Sequence, residues 1–177
     1  MKQAYIVLSF IFLLITLPMG MVYSQNEIPD NRGKEFWLMF NRNYDNNGIN
    51  LDLFISGDIP TNGQVILPDL TEIDFTVSPG TITTVSIPIA FVTADSDGIE
   101  NSGIHVLADN EVTIYGLNQK QFTTDAFLGL PVDILGTEYI VMSHTSIGTS
   151  ILNSSLFGIV SPMDNTVITI IPSSNTV

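Results

Sequence analysis

Three carboxylates and an amide fall within the short stretch Asp95-Ser96-Asp97-Gly98-Ile99-Glu100-Asn101. Hard cations are held by clustered oxygens of this kind. Asp95, Asp97 and Glu100 therefore form a candidate calcium loop, and Gly98 permits a tight turn. The spacing is not that of an EF-hand, because glycine directly follows the second Asp and no Glu stands at the twelfth position. A solvated acidic turn held by Asx hydrogen bonds is the competing account. The same carboxylates have the chemistry of a glycosidase acid/base pair. Such a pair faces a sugar from two sides, and proximity in sequence does not supply that geometry.

His105 and His144 are the only histidines. A metal site or a catalytic triad needs them to converge with further ligands or with a nucleophile. Ser143 precedes His144 without a G-x-S-x-G elbow, and His105 falls on the polar side of an alternating run, where an ordinary strand histidine accounts for it. The chain has no cysteine, which excludes thiolate zinc sites, dithiol redox chemistry and cysteine nucleophiles. Phosphate-binding glycine loops, dinucleotide fingerprints and zinc-peptidase motifs are absent. No catalytic site assembles from these residues and no cofactor is required; calcium is the one ion they suggest.

The charge narrows the partners. Eighteen acidic residues face five basic ones, for a net charge of −13. Lys2 aside, the basic residues are Arg32, Lys34, Arg42 and Lys120. Nucleic acid and anionic membrane surfaces need clustered Lys and Arg, so both are poor partners. Solubility accounts for the acidity, and cations or basic partners suit it as well.

The N-terminus reads as a secretory signal peptide over residues 1–24. Lys2 gives a positive start, Ala4 to Leu17 is almost unbroken apolar sequence, and Pro18 and Gly20 break it before Val22-Tyr23-Ser24. The run falls short of the roughly 20 residues that a spanning helix needs. The mature chain is expected to start at Gln25 and to be secreted or displayed at the cell surface, without membrane insertion. Residues 25–35 read as a flexible lead-in and residues 36–177 as one domain.

The positioning elements are strands. Short runs rich in Ile, Val, Phe, Tyr and Thr alternate with Gly, Pro, Asn and Asp clusters. They lie at Phe36–Asn41, Asn50–Ser56, Gln64–Leu67, Ile73–Val77, Ile82–Ile87, Ile104–Ala108, Val112–Leu117, Glu138–Thr145, Leu156–Ser161 and Thr166–Ile171. Leu51, Leu53 and Ile55 share one face, and Glu72 to Val77 alternates throughout. Period-2 alternation means one buried and one wet face. The pattern predicts an all-β, antiparallel sandwich-like domain of about ten short strands. Phe36-Trp37-Leu38-Met39-Phe40, apolar on both faces, is expected to be a buried first strand; an exposed aromatic surface is the alternative.

Between Ile104 and Leu117 the pattern suggests a hairpin. A three-residue loop Asp109–Glu111, with Asn110 left-handed, would pair Val106 with Ile114 and keep the apolar residues together. Ala108 to Ile114 is faintly echoed by Met163 to Ile170, as a second hairpin would be. Lys120 to Asp125 reads as a loop after a strand whose polar groups lock a hairpin or form an internal salt bridge, with contact to a partner as the second reading. The chain's last residues read as the cut end of a longer protein.

Gly33-Lys34-Glu35-Phe36-Trp37-Leu38-Met39-Phe40, Ser96 to Val106, Val112 to Phe127, Leu130-Pro131-Val132 and Leu135 to Tyr139 together resemble the N-terminal domain of IgGFc-binding proteins. The resemblance implies a β-rich extracellular binding or adhesion module without catalysis, whose partner is an extracellular protein or glycan. The leader and the lack of cysteine fit a bacterial member, since an animal mucin-like one would be rich in cysteine. Fc binding itself does not carry over, because no contact residues can be matched. A carbohydrate-active enzyme domain, or an accessory domain of one, is the alternative.

Overall fold

The computed structural model describes residues 30–43, 47–93, 98–142 and 155–173. Residues 1–24, read above as a leader, and Asp95, Asp97, Ser143 and His144 lie outside them. The described chain is all-β and antiparallel, with seven strands: β1 (Gly33–Leu38), β2 (Asn50–Ser56), β3 (Thr61–Ile66), β4 (Glu72–Val77), β5 (Thr83–Ile87), β6 (Ile104–Lys120) and β7 (Thr123–Leu128). Single 3₁₀ turns follow β5 at Ile89–Phe91 and β7 at Val132–Ile134.

The strands form one sheet folded into two leaves. β6 pairs with β3 through Ala108–His105 and with β2 through Gln119–Thr113. β4 then pairs with β3, and β5 with β2. On its other side β6 carries β1 and β7. The first leaf is β1, the N-terminal half of β6, β3 and β4; the second is β7, the C-terminal half of β6, β2 and β5. The chain turns from leaf to leaf through residues 57–60 between β2 and β3. Between β4 and β5 it turns through Ser78-Pro79-Gly80-Thr81, where Thr81 N–H donates to the Ser78 carbonyl (3.1 Å) and Gly80 has φ +75°. A positive φ after proline is the type II turn signature.

β6 itself passes through the crease unbroken, which corrects the expected hairpin at Asp109–Glu111. Val106 lies opposite Phe36 and Val65 rather than Ile114, and Ile114 lies opposite Ile55. Asn110 is strand, not left-handed. The hydrophobic pattern could not separate the two arrangements, because Ile104, Val106, Val112 and Ile114 share one parity and face the core in either. The bend is made by a bulge: between Gly33 and Glu35 on β1, the facing residue on β6 moves from Val112 to Leu107. Extra residues on one strand bend it. The backbone N–H of Asn110 is satisfied by Thr61 Oγ1 (2.8 Å) in place of a ladder partner.

The core fills the space between the leaves. Phe36, Leu38, Phe40, Val65, Phe75, Val77, Ile104 and Val106 come from the first leaf or its continuation. Leu51, Leu53, Ile55, Val85, Ile87 and Ile114 come from the second. Burial of each such side chain contributes roughly 1.5–3 kcal/mol. β1 begins inside the expected lead-in, with Gly33 buried. Its apolar run is split, not wholly buried: Phe36, Leu38 and Phe40 point inward, while Trp37 and Met39 are half-buried on the outer side.

Two glycines let aromatic rings lie flat on the sheet. Gly63 is opposite Phe75 and Gly116 opposite Phe127. A Cβ on Gly63 would stand 2.3 Å from Phe75 Cζ, and one on Gly116 2.3 Å from Phe127 Cζ.

The three expected C-terminal strands differ from the structure. Residues 138–142, 156–161 and 166–171 are outside any strand, and find no ladder partner among the described residues. Many of their apolar side chains are exposed, including Ile140, Met142, Val167 and Ile171. The apparent internal echo is also not a repeat. Residues 108–114 are mid-strand, whereas Met163 to Thr166 is a turn with Asn165 at φ +58°, closed by Thr166 Oγ1 donating to the Met163 carbonyl (2.7 Å).

Gly63→Ala tests the ring-over-glycine packing. Its Cβ would also lie 2.4 Å from the Leu107 carbonyl oxygen, which is backbone and cannot swing aside. Urea unfolding should show a loss of about 1–3 kcal/mol, whereas Gly80→Ala should leave the core packing undisturbed.

Candidate functional site

The outer face of the first leaf gathers amide, carboxylate, imidazole and indole side chains. The register sets two rows across four strands: Asp74, Gln64, Leu107 and Glu35, then Glu72, Ile66, His105 and Trp37. Each strand gives this face every second residue, which is why one alternation both builds the core and assembles the surface. Gln64 Nε2 donates to Asp74 Oδ1 (3.0 Å) and to Glu72 Oε2 (3.3 Å). Thr76 Oγ1 donates to Asn62 Oδ1 (3.0 Å). A shallow trough of 560 Å³ runs over this end of the face, lined by Asn62, Gln64, Asp74, Thr76, Leu107 and Asp109 among others.

At the β1 end, the indole of Trp37 stacks on the imidazole of His105, with centroids 4.4 Å apart and planes 12° from parallel. His105 Nε2 lies 2.9 Å from Glu35 Oε1, an ion pair whenever the ring is protonated. His105 thus faces outward, as alternation required. What alternation left open was its company: Trp37 and Glu35 come from a strand about seventy residues away in sequence. Gly103 and Val160 close around the indole. A Cβ on Gly103 would meet Val160 Cγ2 at 3.3 Å and Trp37 Cε3 at 3.5 Å.

This surface is equipped to bind. Amide and carboxylate groups in fixed rows offer paired donors and acceptors, and the stacked rings offer a flat apolar edge. A glycosidase pair needs two carboxyls facing each other across a sugar. Glu72 and Asp74 instead stand side by side on β4 and share one amide of Gln64. Among the described residues, His105 is engaged by Glu35 and Trp37.

The acidic loop is placed only in part. Glu100 is exposed and its Oε2 accepts from Ser102 Oγ (3.0 Å); Asp95 and Asp97 lie outside the described residues. Among the described residues, no group of three or more His, Asp or Glu side chains could hold a metal ion. Two other carboxylates sit in turns away from the outer face. Asp30 is held below the usual carboxylate range chiefly by the backbone N–H of Arg32, and Asp69 by that of Thr71.

The β6–β7 hairpin carries a network that the sequence did not reveal. Asn43 and Asn118 are buried. Asn43 Nδ2 donates to Asn118 Oδ1 (3.0 Å) and to the Thr123 carbonyl (3.0 Å). Asn118 Nδ2 donates to the Asn41 carbonyl (2.8 Å), and Thr123 Oγ1 to Asn43 Oδ1 (2.6 Å). Thr124 Oγ1 donates to the Lys120 carbonyl (3.1 Å). The expected hairpin lock therefore exists, built from Thr123, Thr124 and the two asparagines. Asp125 joins none of the ion pairs among the described residues. At the tip, Phe122 is 95% exposed with φ +74°, an uncommon conformation for a bulky residue.

One family model matches part of the chain, from within β7 onward. Residues 125–177 match the family model of the IgGFc binding protein. The match agrees with the resemblance read from the sequence. It covers most of β7, the Pro131 strap that bridges to Phe36, and the extended stretch whose Gly158 and Val160 pack against Met39 and Gly103. No curated protein and no solved structure matches the chain. Among the described residues, no helix is long and apolar enough to cross a membrane.

Two measurements follow. Asn118→Ala would take from the buried Asn43 amide one of its two acceptors and from the Asn41 carbonyl its side-chain donor, and urea unfolding should register a loss of about 1–3 kcal/mol. For the acidic loop, a calcium site predicts a higher melting midpoint in millimolar calcium than in chelator, because a ligand of the native state stabilises it. An unchanged midpoint removes calcium from Asp95, Asp97 and Glu100.

Proposed function

We propose that this chain is an extracellular, non-catalytic binding module, exported by the leader at residues 1–24, whose partner is a protein or glycan outside the cell. The observation that carries the proposal is the match of residues 125–177 to the IgGFc binding protein family. The outer face of the first leaf is its contact surface. Part of the matched stretch packs against this face, through Val160 beside Trp37 and Gly103. The recognition is by shape and hydrogen bonding. Gln64 and Asn62 offer amides, Asp74 and Glu72 acceptors, and Trp37 with His105 a flat edge.

The net charge of −13 makes polyanionic partners such as nucleic acid unfavourable. A carbohydrate-active enzyme would need an opposed carboxyl pair; Glu72 and Asp74, neighbours on one strand, do not favour it.

The test is binding by the immobilised protein to immunoglobulin Fc, to a secreted mucin, and to that mucin stripped of its glycans. Saturable binding is expected to at least one extracellular glycoprotein, and loss after stripping would assign the glycan. Trp37→Ala combined with Gln64→Ala should weaken binding about tenfold or more, as central contact residues do, in a variant that still unfolds cooperatively. Turnover of a panel of chromogenic glycosides would overturn the non-catalytic reading. Undiminished binding by the double variant would remove the first leaf as the contact face.

A further inference from the structure

Asn47 and Gly48 lie exposed in the loop between β1 and β2. Gly48 has φ +68°, and among the described residues nothing lies within 4 Å of where a Cβ would stand. Lys120, the last residue of β6, reaches this loop. Its Nζ donates to the backbone carbonyl oxygen of Asn47 at 2.7 Å. That oxygen belongs to the peptide unit joining Asn47 to Gly48, so the ammonium sits on the one peptide whose nitrogen lies next to the Asn47 side-chain amide in the chain.

We propose that Asn47–Gly48 is a self-modifying site, at which Lys120 stabilises the anionic peptide that closes a ring on the Asn47 side chain. When the Gly48 nitrogen loses its proton to water, the negative charge is shared with the Asn47 carbonyl oxygen. A cationic donor already aimed at that oxygen stabilises the anion, as preorganised donors stabilise any oxyanion. The nitrogen attacks Asn47 Cγ. The N–Cγ bond forms, the Cγ–Nδ2 bond breaks, and the amide nitrogen departs as ammonia with a proton taken from water. Water then opens the resulting succinimide at either carbonyl, leaving aspartate or isoaspartate at position 47. One water is consumed and one ammonia released, with no other reactant. Glycine suits the step because it lacks a Cβ to obstruct closure and visits left-handed backbone freely.

The chain holds an internal control. Asn62–Gly63 is the same dipeptide, but it lies in β3 between β4 and β6, with Gly63 opposite both Phe75 and Ala108. Asn62 Oδ1 is occupied by Thr76 Oγ1. The ladder holds this peptide extended, and a Cβ-free backbone gains nothing there because Phe75 covers it. At position 47 the product matters to the fold. Isoaspartate lengthens the main chain by one methylene between the buried Asn43 anchor and the start of β2, which draws the carbonyl away from Lys120.

The experiment is incubation of the purified protein at neutral pH and body temperature, followed by peptide mapping with mass spectrometry and an isoaspartate assay. Asn47 should convert over days while Asn62 remains an amide; in guanidinium both should convert. Lys120→Met should slow conversion of Asn47 several-fold. If Lys120 were only a structural tie, its loss would free the loop and conversion would quicken instead. Retention of Asn62 reports an intact fold in each variant, and Lys120→Gln takes the place of any variant that loses it. An intact Asn47 in the folded wild type, or an unchanged or faster rate without Lys120, overturns the proposal.

Discussion

The ladder along β6 is the constraint on which the rest of the molecule depends. Seventeen residues run from one leaf into the other, and four other strands take their register from them. Because side chains alternate strictly along a strand, a single parity through β6 decides which residues of β1, β2, β3 and β7 face the core. The bulge opposite Gly33 to Glu35 folds the sheet without breaking that parity. The side chain of Thr61 replaces the hydrogen bond that the bend removes.

The same ladder makes the outer surface. Residues at odd positions of β6 meet outward residues of β1 and β3, so Leu107 and His105 come to lie between Gln64 and Ile66 on one side and Glu35 and Trp37 on the other. No loop is needed to gather this face. A surface built on paired strands holds its groups in place before a partner arrives, which lowers the ordering cost of binding.

Much of this was legible from alternation alone. Leu51, Leu53 and Ile55, and the run from Glu72 to Val77, read directly as half-buried strands, and the outward placement of His105 followed from its parity. The path of β6 was not legible, because a hairpin and a through-strand bury the same residues of its pattern; the difference lies in pairings distant in sequence. The asparagine network was hidden for another reason. Asn43, Asn118 and Thr123 have the composition of turns, and nothing local says that a polar side chain will be buried and satisfied by other polar groups. The C-terminal runs show the reverse error. Val167-Ile168-Thr169-Ile170 carries strand propensity, but propensity describes fit to a sheet and does not supply a neighbour to pair with.

The rings lying over Gly63 and Gly116 have a consequence for how this sequence can change over generations. Each glycine and its facing phenylalanine divide one fixed volume between them. A side chain gained at position 116 must be met by a smaller one at position 127, because the Phe127 ring stands in its way. Position 63 is held more tightly, since the Leu107 carbonyl oxygen would still obstruct a Cβ there whatever stands at 75. Across relatives of this chain, positions 116 and 127 should therefore vary together, as a single inherited unit, while position 63 stays glycine.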